Sequence, residues 1–567
     1  MQNKQKLNAQ KKQKARAAQG EQTEQKVQSH HTHSLLALAK SAIIFFGVGV
    51  IGYIIAFFIK IISARYFGPD QLGAVELINT VLGVATLICT VGITATIPQY
   101  MPLYMLKKQY GLLRGFLRYA LIVPFVVSII AGIILFMCSK QITNLLHATP
   151  LFQTSLMIVA VVFPLKILGD SLSTVLQAKK ESFHAALGHN VIDKVVIFAA
   201  VIIAMLTAKN IVVYVYGIAF SIVAIALYNA IVCYAKLSTS TDDAPAVIDT
   251  KSTANGAKEI KQIKPIYRFA EWTKFAMPLL FFGVTGYFLG WTDNIVISAF
   301  LSQAYLGIYG VAFSLASYIS FIPILFLPLF LPVMVELMVK KSPALLTVYE
   351  RASVWSYTIA LFFGTLFLFF PAQILAVLFG PAFSTGAHPL MFLTISFTLT
   401  AYFMFCYSML MIKKKTTFIF VNTAIFAIVN LLVNIFVLKY VNQSITAVAL
   451  VTSISLFLVR FSEFVYVKRQ FKLITPISHL IKVTLCAVLS GGVVKILFIA
   501  SLNHTHLPQL VRLIIAGIIY CALFGGSLIL SKAIMPDDKT LIKTILVKAN
   551  VNQKIIDFAA ETINKFS

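Results

Sequence analysis

Charged residues inside apolar stretches are the first places to look for chemistry, because an ion there has no water to solvate it. Lys60 follows 19 uncharged residues, and Arg65 lies five residues further on. That is about 7 Å at 1.5 Å per helical residue. Cations at such depth could replace the hydration of an anionic group crossing a bilayer, or could snorkel to the outer head groups. Lys166 and Asp170 stand four apart and so share one helical face, as a self-neutralising pair or a switchable site in a substrate path. Asp293 follows 18 uncharged residues and is preceded by Trp291 and Thr292. A carboxylate there could bind a coupling proton or sodium ion, or rest at the outer interface. Glu76 is a second, shallower candidate for ion coupling. Asp193 with Lys194, and Arg460 with Glu463, read as interfacial pairs near inner helix ends. Burying any of these groups in hydrocarbon costs several kcal/mol, so each needs a partner or a function.

The elements that must position them are transmembrane helices. Fifty-nine per cent of the 567 residues are hydrophobic and 12% are charged, against about 25% charged in a soluble domain. A soluble fold cannot bury that much apolar surface, whereas a bilayer can. Runs long enough to cross lie near 38–63, 72–97, 115–138, 152–177, 187–207 and 210–235, then 272–298, 305–335, 351–371, 386–411, 416–438 and 444–467, with two more near 477–501 and 509–532. The sequence therefore predicts an all-α polytopic membrane protein of about 14 transmembrane helices. Cys89, Cys138, Cys233, Cys406, Cys486 and Cys521 fall in or beside these runs with no metal-ligand spacing, so no metal, cofactor or disulfide framework is expected.

Loop charges fix an orientation. With a cytoplasmic N-terminus, inner loops hold Lys107, Lys108 and Arg114, Lys179 and Lys180, Lys340 and Lys341, Lys413 to Lys415, and Lys468, Arg469 and Lys472. Outer loops hold single basic residues (Arg65, Lys140, Lys209, Lys439) or none. This alternation is what the positive-inside rule requires, and it places both termini in the cytoplasm of a plasma (inner) membrane protein. The +27 net charge thus reads as topology and not as nucleic-acid binding.

The chain also repeats itself at an offset of 234 residues. Lys40, Ala42, Gly49, Gly52 and Tyr53 recur as Lys274, Ala276, Gly283, Gly286 and Tyr287. Leu72-Gly73 recurs as Leu306-Gly307, Pro98 as Pro332, Lys107 as Lys341, and Lys179-Lys180 as Lys413-Lys414. Each copy holds six spans, an even number, so the copies are parallel repeats forming two lobes, with two extra C-terminal helices. The domains read as a polar tail at 1–37 containing His30, His31 and His33, an N-lobe at 38–235, a cytoplasmic linker at 236–271, a C-lobe at 272–469, spans 13 and 14 at 470–533, and a C-terminal segment at 534–567 with a loose amphipathic pattern. Parallel repeats place a substrate path between lobes that rock for alternating access. Gly49, Gly52, Gly283 and Gly286 serve close helix packing or hinging, and Pro98 and Pro332 a kink or a helix stop.

At this point the sequence resembles a family. ARYFGPDQLGAVELINTVLGVATLICTVGITATIPQYMP is similar to the span 1–span 2 junction of polysaccharide and oligosaccharide flippases. WTDNIVISAFLSQAYLGIYGVAFSLASYISFIP is similar to the matching junction of their second half, and LMIKKKTTFIFVNTAIFAIVNLLVNIFVL to the hairpin between spans 10 and 11. The chain thus resembles the multidrug, oligosaccharidyl-lipid and polysaccharide exporter superfamily over roughly 38–535. The resemblance implies two V-shaped lobes around a central cavity and a lipid-linked sugar substrate of the polyprenyl pyrophosphate type. Lipid II flippases carry arginines in spans 1, 2 and 8, which this chain lacks apart from Arg65. The drug-exporting branch usually has twelve spans.

These readings predict a flippase of lipid-linked oligosaccharide or polysaccharide precursors, with membrane lipids and glycan-synthesis proteins as partners. An ion-coupled drug or metabolite antiporter and a non-transporting scaffold for glycan synthesis are the alternatives. No P-loop, HExxH or GxSxG is present, so an enzyme is not expected.

Overall fold

The computed structural model describes residues 47–531 apart from 180, 208–210, 239–247, 253–257, 263, 341, 414, 472–474 and 501–506. The His30–His33 cluster, the start of the first span and the C-terminal segment lie outside the described residues.

A chain whose backbone must satisfy itself in hydrocarbon has few choices besides helix, and helices dominate. The first, α1, runs from Gly47 to Thr90. It is followed by α2 (Ile97–Leu106), α3 (Tyr110–Met137), α4 (Ser139–Leu145), α5 (Pro150–Ala178) and α6 (Ser182–Ala186). A π-helical turn, Leu187–Ile192, leads into α7 (Asp193–Thr207) and α8 (Ile211–Ser238). A short antiparallel hairpin, β1 (Ile248–Ser252) with β2 (Lys258–Gln262), lies within the linker, where the sequence shows no strand signal.

The second half begins with α9 (Phe269–Phe300) and α10 (Gln303–Val339), then α11 (Ala344–Phe369), α12 (Pro371–Phe379) and α13 (Ala387–Ala401). It continues with α14 (Met404–Ile412), α15 (Thr416–Tyr440), α16 (Ile445–Phe471), α17 (Ile477–Ala500) and α18 (Gln509–Leu530).

Among the described residues eleven helices are long and apolar enough to cross a membrane, and thirteen if each of two bent pairs is one span. The expectation of fourteen differs by one, and the difference lies in α1. Gly68 has φ +76°, which an ordinary helix cannot contain, and Pro69 follows it. Lys60 and Glu76 form an ion pair although 16 residues separate them, about 24 Å along a straight helix. The chain therefore folds back at Gly68, and the two arms of α1 correspond to the first two predicted runs.

The packing order recurs in both halves. In the first, α5 packs between α3 and α8, and α7 packs on α8. In the second, α13 packs between α11 and α16, and α15 packs on α16. The halves meet symmetrically. A Cβ on Gly73 would collide with the Gln303 carbonyl, and one on Gly307 with the Pro69 carbonyl. Each residue of the first contact is the 234-shifted copy of a residue in the second, as around a twofold axis. Gly310 is likewise the shifted copy of Glu76, and its Cα faces that side chain. Backbones approach this closely only where no side chain intervenes.

Contacts between the halves occur at two levels. Near the Gly68 turn, Tyr287 donates to the Thr80 carbonyl (2.9 Å) and Asn294 to the Thr80 hydroxyl (2.9 Å). Near the opposite end, the Trp272 indole donates to the Tyr104 hydroxyl (2.9 Å) and Tyr119 pairs with Thr273 (2.7 Å). Here the start of α9 lies on α2 and α3, and the backbone N–H of Ile266 donates to the Gly111 carbonyl. The remaining helix α17 packs against α18 and α11.

Candidate functional site

A cavity of about 530 Å³ opens beside the Tyr287–Thr80 contact. Its wall is built by α1, α5, the π-turn, α7, α8 and the Tyr287–Trp291 stretch of α9. Much of the lining is apolar, with Ile59, Leu72, Val75, Ile218 and Ile222 among it, and a small set of charged and polar side chains is set into that surface.

Three lysines line it, each matched by a carboxylate. Lys60 pairs with Glu76 across the Gly68 turn. Lys166 donates to Asp170 Oδ2 at 2.7 Å, and Lys194 to Asp193 at 2.7 Å. Helical spacing sets the second pair, since residues four apart lie on one face. His189 reaches toward the free oxygen of Asp170, with Nε2 3.6 Å from Oδ1. Ser63 and Thr86 also line the cavity, and their hydroxyl oxygens are buried in its wall with no hydrogen-bond partner among the described residues. Trp291 stacks on Tyr287 with ring centroids 5.5 Å apart. The arrangement offers cations held ready by carboxylates and an aromatic surface.

A second polar cluster is fully enclosed. Asp293 is 1% exposed. Its Oδ1 accepts from Thr452 Oγ1 (2.7 Å) and Asn434 Nδ2 (3.1 Å), and Tyr309 donates to Oδ2. Asn430 donates in turn to Thr452 (3.1 Å) and Ser455 (3.3 Å). The 54° bend of α9 between Phe288 and Gly290 aims this stretch inward. Asn434 Oδ1 is buried without a hydrogen-bond partner among the described residues. Neutral donors therefore hold the Asp293 carboxylate, and one acceptor beside it is free.

The sequence-predicted residues divide accordingly. Lys60, Glu76, Lys166 and Asp170 all line the cavity. Arg65 does not; it donates to the Val377 and Leu378 carbonyls of α12, which fits its reading as an outer-end residue. Asp293 sits in a polar core, not at an interface. Asp193 and Lys194, read as interfacial, line the cavity because their helix begins at about Phe183, earlier than the apolar run indicates. Arg460 and Glu463 do pair, at 2.8 Å, with Glu463 buried.

The hinge candidates separate too. Gly52 is a packing contact, since a Cβ there would strike the backbone of Asn190, while Gly49 and Gly286 have open space. A Cβ on Gly283 would make only ordinary contact, 3.5 Å from Leu87. Pro98 opens α2 and is not inside a span; the helix break falls instead at Val91 and Gly92, both at positive φ. Pro332 lies within α10, whose helix continues to Val339. His189, Ser63, Thr86 and the Asp293 partners were not singled out from sequence. Polar residues in apolar runs were the available signal for Asn430, Asn434 and Thr452.

Comparison with known proteins follows from this geometry. A family model described as polysaccharide biosynthesis protein matches residues 38–338. The chain belongs to that family. No curated protein matches the sequence. Among solved structures, the lipid II flippase MurJ in an inward closed conformation is similar at TM-score 0.60 and 16% identity, over 86% of this chain and 98% of MurJ. An inward-facing multidrug resistance MATE family transporter of the MOP superfamily is similar at TM-score 0.55 and 13% identity, over 76% and 98% of the two chains. A MATE protein in complex with MaL6 is similar at TM-score 0.51 and 13% identity, over 77% and 96%. Identities this low speak for the fold alone. The chain is a multi-pass membrane protein of the polysaccharide biosynthesis family with the transporter fold shared by MurJ and MATE proteins.

Proposed function

We propose that the protein flips lipid-linked oligosaccharide or polysaccharide precursors across the plasma membrane by alternating access, with both termini cytoplasmic. The observation that carries this reading is the cavity's set of three lysines, each poised on a carboxylate. A lysine neutralised by a neighbouring carboxylate is tolerable inside a bilayer and can exchange that partner for a substrate oxyanion. The diphosphate of a polyprenyl-linked sugar supplies such oxyanions, and the Tyr287–Trp291 stack offers the sugar an aromatic surface. The lipid tail stays in the bilayer while the halves rock about their symmetric Gly73–Gly307 contact. Membership of the polysaccharide biosynthesis family supports the class of substrate. Transport, not bond-making, is the role of the site, and glycan-synthesis proteins would supply its substrate.

Asp293 fits as the coupling site. A carboxylate ringed by Tyr309, Thr452 and Asn434, with Asn434 Oδ1 free, suits a proton or a sodium ion. Glu76, already held by Lys60, suits a gating role better than ion coupling. The balanced cavity also favours a second reading, an ion-coupled antiporter of drugs or metabolites, because its net charge does not demand an anion.

Depletion in cells separates the two. The flippase reading expects lipid-linked oligosaccharide to accumulate on the inner leaflet, read with a membrane-impermeant label. Drug hypersensitivity without that accumulation would establish the antiporter instead.

A further inference from the structure

We infer that His189 sets the charge of the cavity and with it the preference for a doubly charged diphosphate diester. The inference rests on the flippase reading and concerns the same cavity.

His189 is placed by the π-turn, which inserts one residue more per turn than an α-helix and is often found at functional sites. The turn is pinned from outside, because Gly52 of α1 lies against the backbone of Asn190. His184, one turn earlier, is engaged elsewhere, with Nδ1 2.9 Å from the Tyr228 hydroxyl. His189 is thus the imidazole that faces the cavity.

The groups that surround it come from every wall. Lys60 and Glu76 come from α1, Lys166 and Asp170 from α5, and Asp193 and Lys194 from α7; the phenols are Tyr214 of α8 and Tyr287 of α9. The three lysines and three carboxylates cancel, so the state of the imidazole decides the sum. At 3.6 Å the His189–Asp170 approach is too long for a hydrogen bond. A protonated imidazole closes that gap onto Oδ1 while Lys166 keeps Oδ2. Asp170 then serves two cations, and the cavity carries one net positive charge. A diphosphate diester gains from that charge. By linkage, its binding in turn favours uptake of a proton at His189. Protonation of this imidazole would therefore load the cavity selectively with anions.

The test is binding of a short-chain prenyl diphosphoryl sugar to the protein in nanodiscs, by equilibrium dialysis. Its diester charges do not titrate over the range used. One unit charge about 12 Å away at an effective dielectric of about 20 changes anion affinity on the order of ten-fold, and a closer approach changes it more. Wild-type affinity is expected to rise by about that factor between about pH 8 and about pH 5.5. His189→Gln should bind weakly at both, and His189→Arg, with its permanent charge, tightly at both. Equal pH dependence in wild type and His189→Gln, or none in wild type, would overturn the inference and leave the flippase reading standing. Failure of folded protein to bind the ligand at either pH would remove both.

Discussion

The two polar regions of this membrane protein solve one problem in opposite ways. In the first half, Lys60, Lys166 and Lys194 stand against Glu76, Asp170 and Asp193, and the last two pairs keep substantial exposure (30% and 25% for Lys166 and Asp170). In the second half, Asp293 has no cation beside it among the described contacts and is held by a hydroxyl, a phenol and an amide at 1% exposure. The repeat relates the backbones and not this chemistry, since Asp293 corresponds to Ile59 at the 234-residue offset. Duplication supplied two matching frames. One acquired exchangeable ion pairs facing a cavity, the other a carboxylate locked in a dry core. The contrast teaches that partners which can exchange suit an open cavity, and partners which cannot suit an enclosed core.

The largest effect is expected at the locked site. Asp293→Ala strips the acceptor from Tyr309, Thr452 and Asn434 at about 1–3 kcal/mol per stranded donor, so a loss on the order of 3 kcal/mol should appear as a depressed melting temperature in detergent. Asp293→Asn keeps one acceptor and should melt nearer to wild type while its transport loses dependence on an ion gradient. A gradient-dependent Asp293→Asn protein would break the comparison.

The cavity should respond the other way, with transport falling more than stability. Lys166→Gln leaves Asp170 facing the substrate path, and transport is expected to fall at least about ten-fold, the order of one lost charge contact. Lys166→Gln with Asp170→Asn should restore any lost stability without restoring transport, as a double-mutant cycle of both quantities would record. Recovery of transport in the double variant would make this pair structural.

How much of this was legible follows from the same contrast. A bilayer makes any charge conspicuous, so Lys60, Glu76, Lys166, Asp170 and Asp293 could be picked out by counting uncharged neighbours. The repeat was legible because Gly73 and Gly307 must stay small for backbones to touch. Depth was less legible. The π-turn and the earlier helix start carry Asp193 and Lys194 into the cavity, and the polar look of ESFHAALGHN hid both. The shell of Asp293 was hidden for another reason: Asn434 and Thr452 lie 141 and 159 residues away in sequence, and only packing joins them. The fold-back at Gly68 was written plainly as Gly-Pro.

The smallest effect is expected at Arg65, whose guanidinium caps the carbonyls of Val377 and Leu378 at an exposed position. Exposed ionic and polar contacts contribute about 0–1 kcal/mol, so Arg65→Ala should melt within a few degrees of wild type and transport within about two-fold. A large transport defect would return Arg65 to the substrate path.

The central claim is that lipid-linked sugar crosses through the lysine-lined cavity. It is tested most directly in proteoliposomes holding a prenyl diphosphoryl sugar, by following how fast the sugar becomes accessible to an impermeant reagent. The account predicts protein-dependent flipping that Lys60→Gln and Lys166→Gln each slow while the variants remain folded. Flipping at the protein-free rate, or flipping untouched by both substitutions, would contradict it.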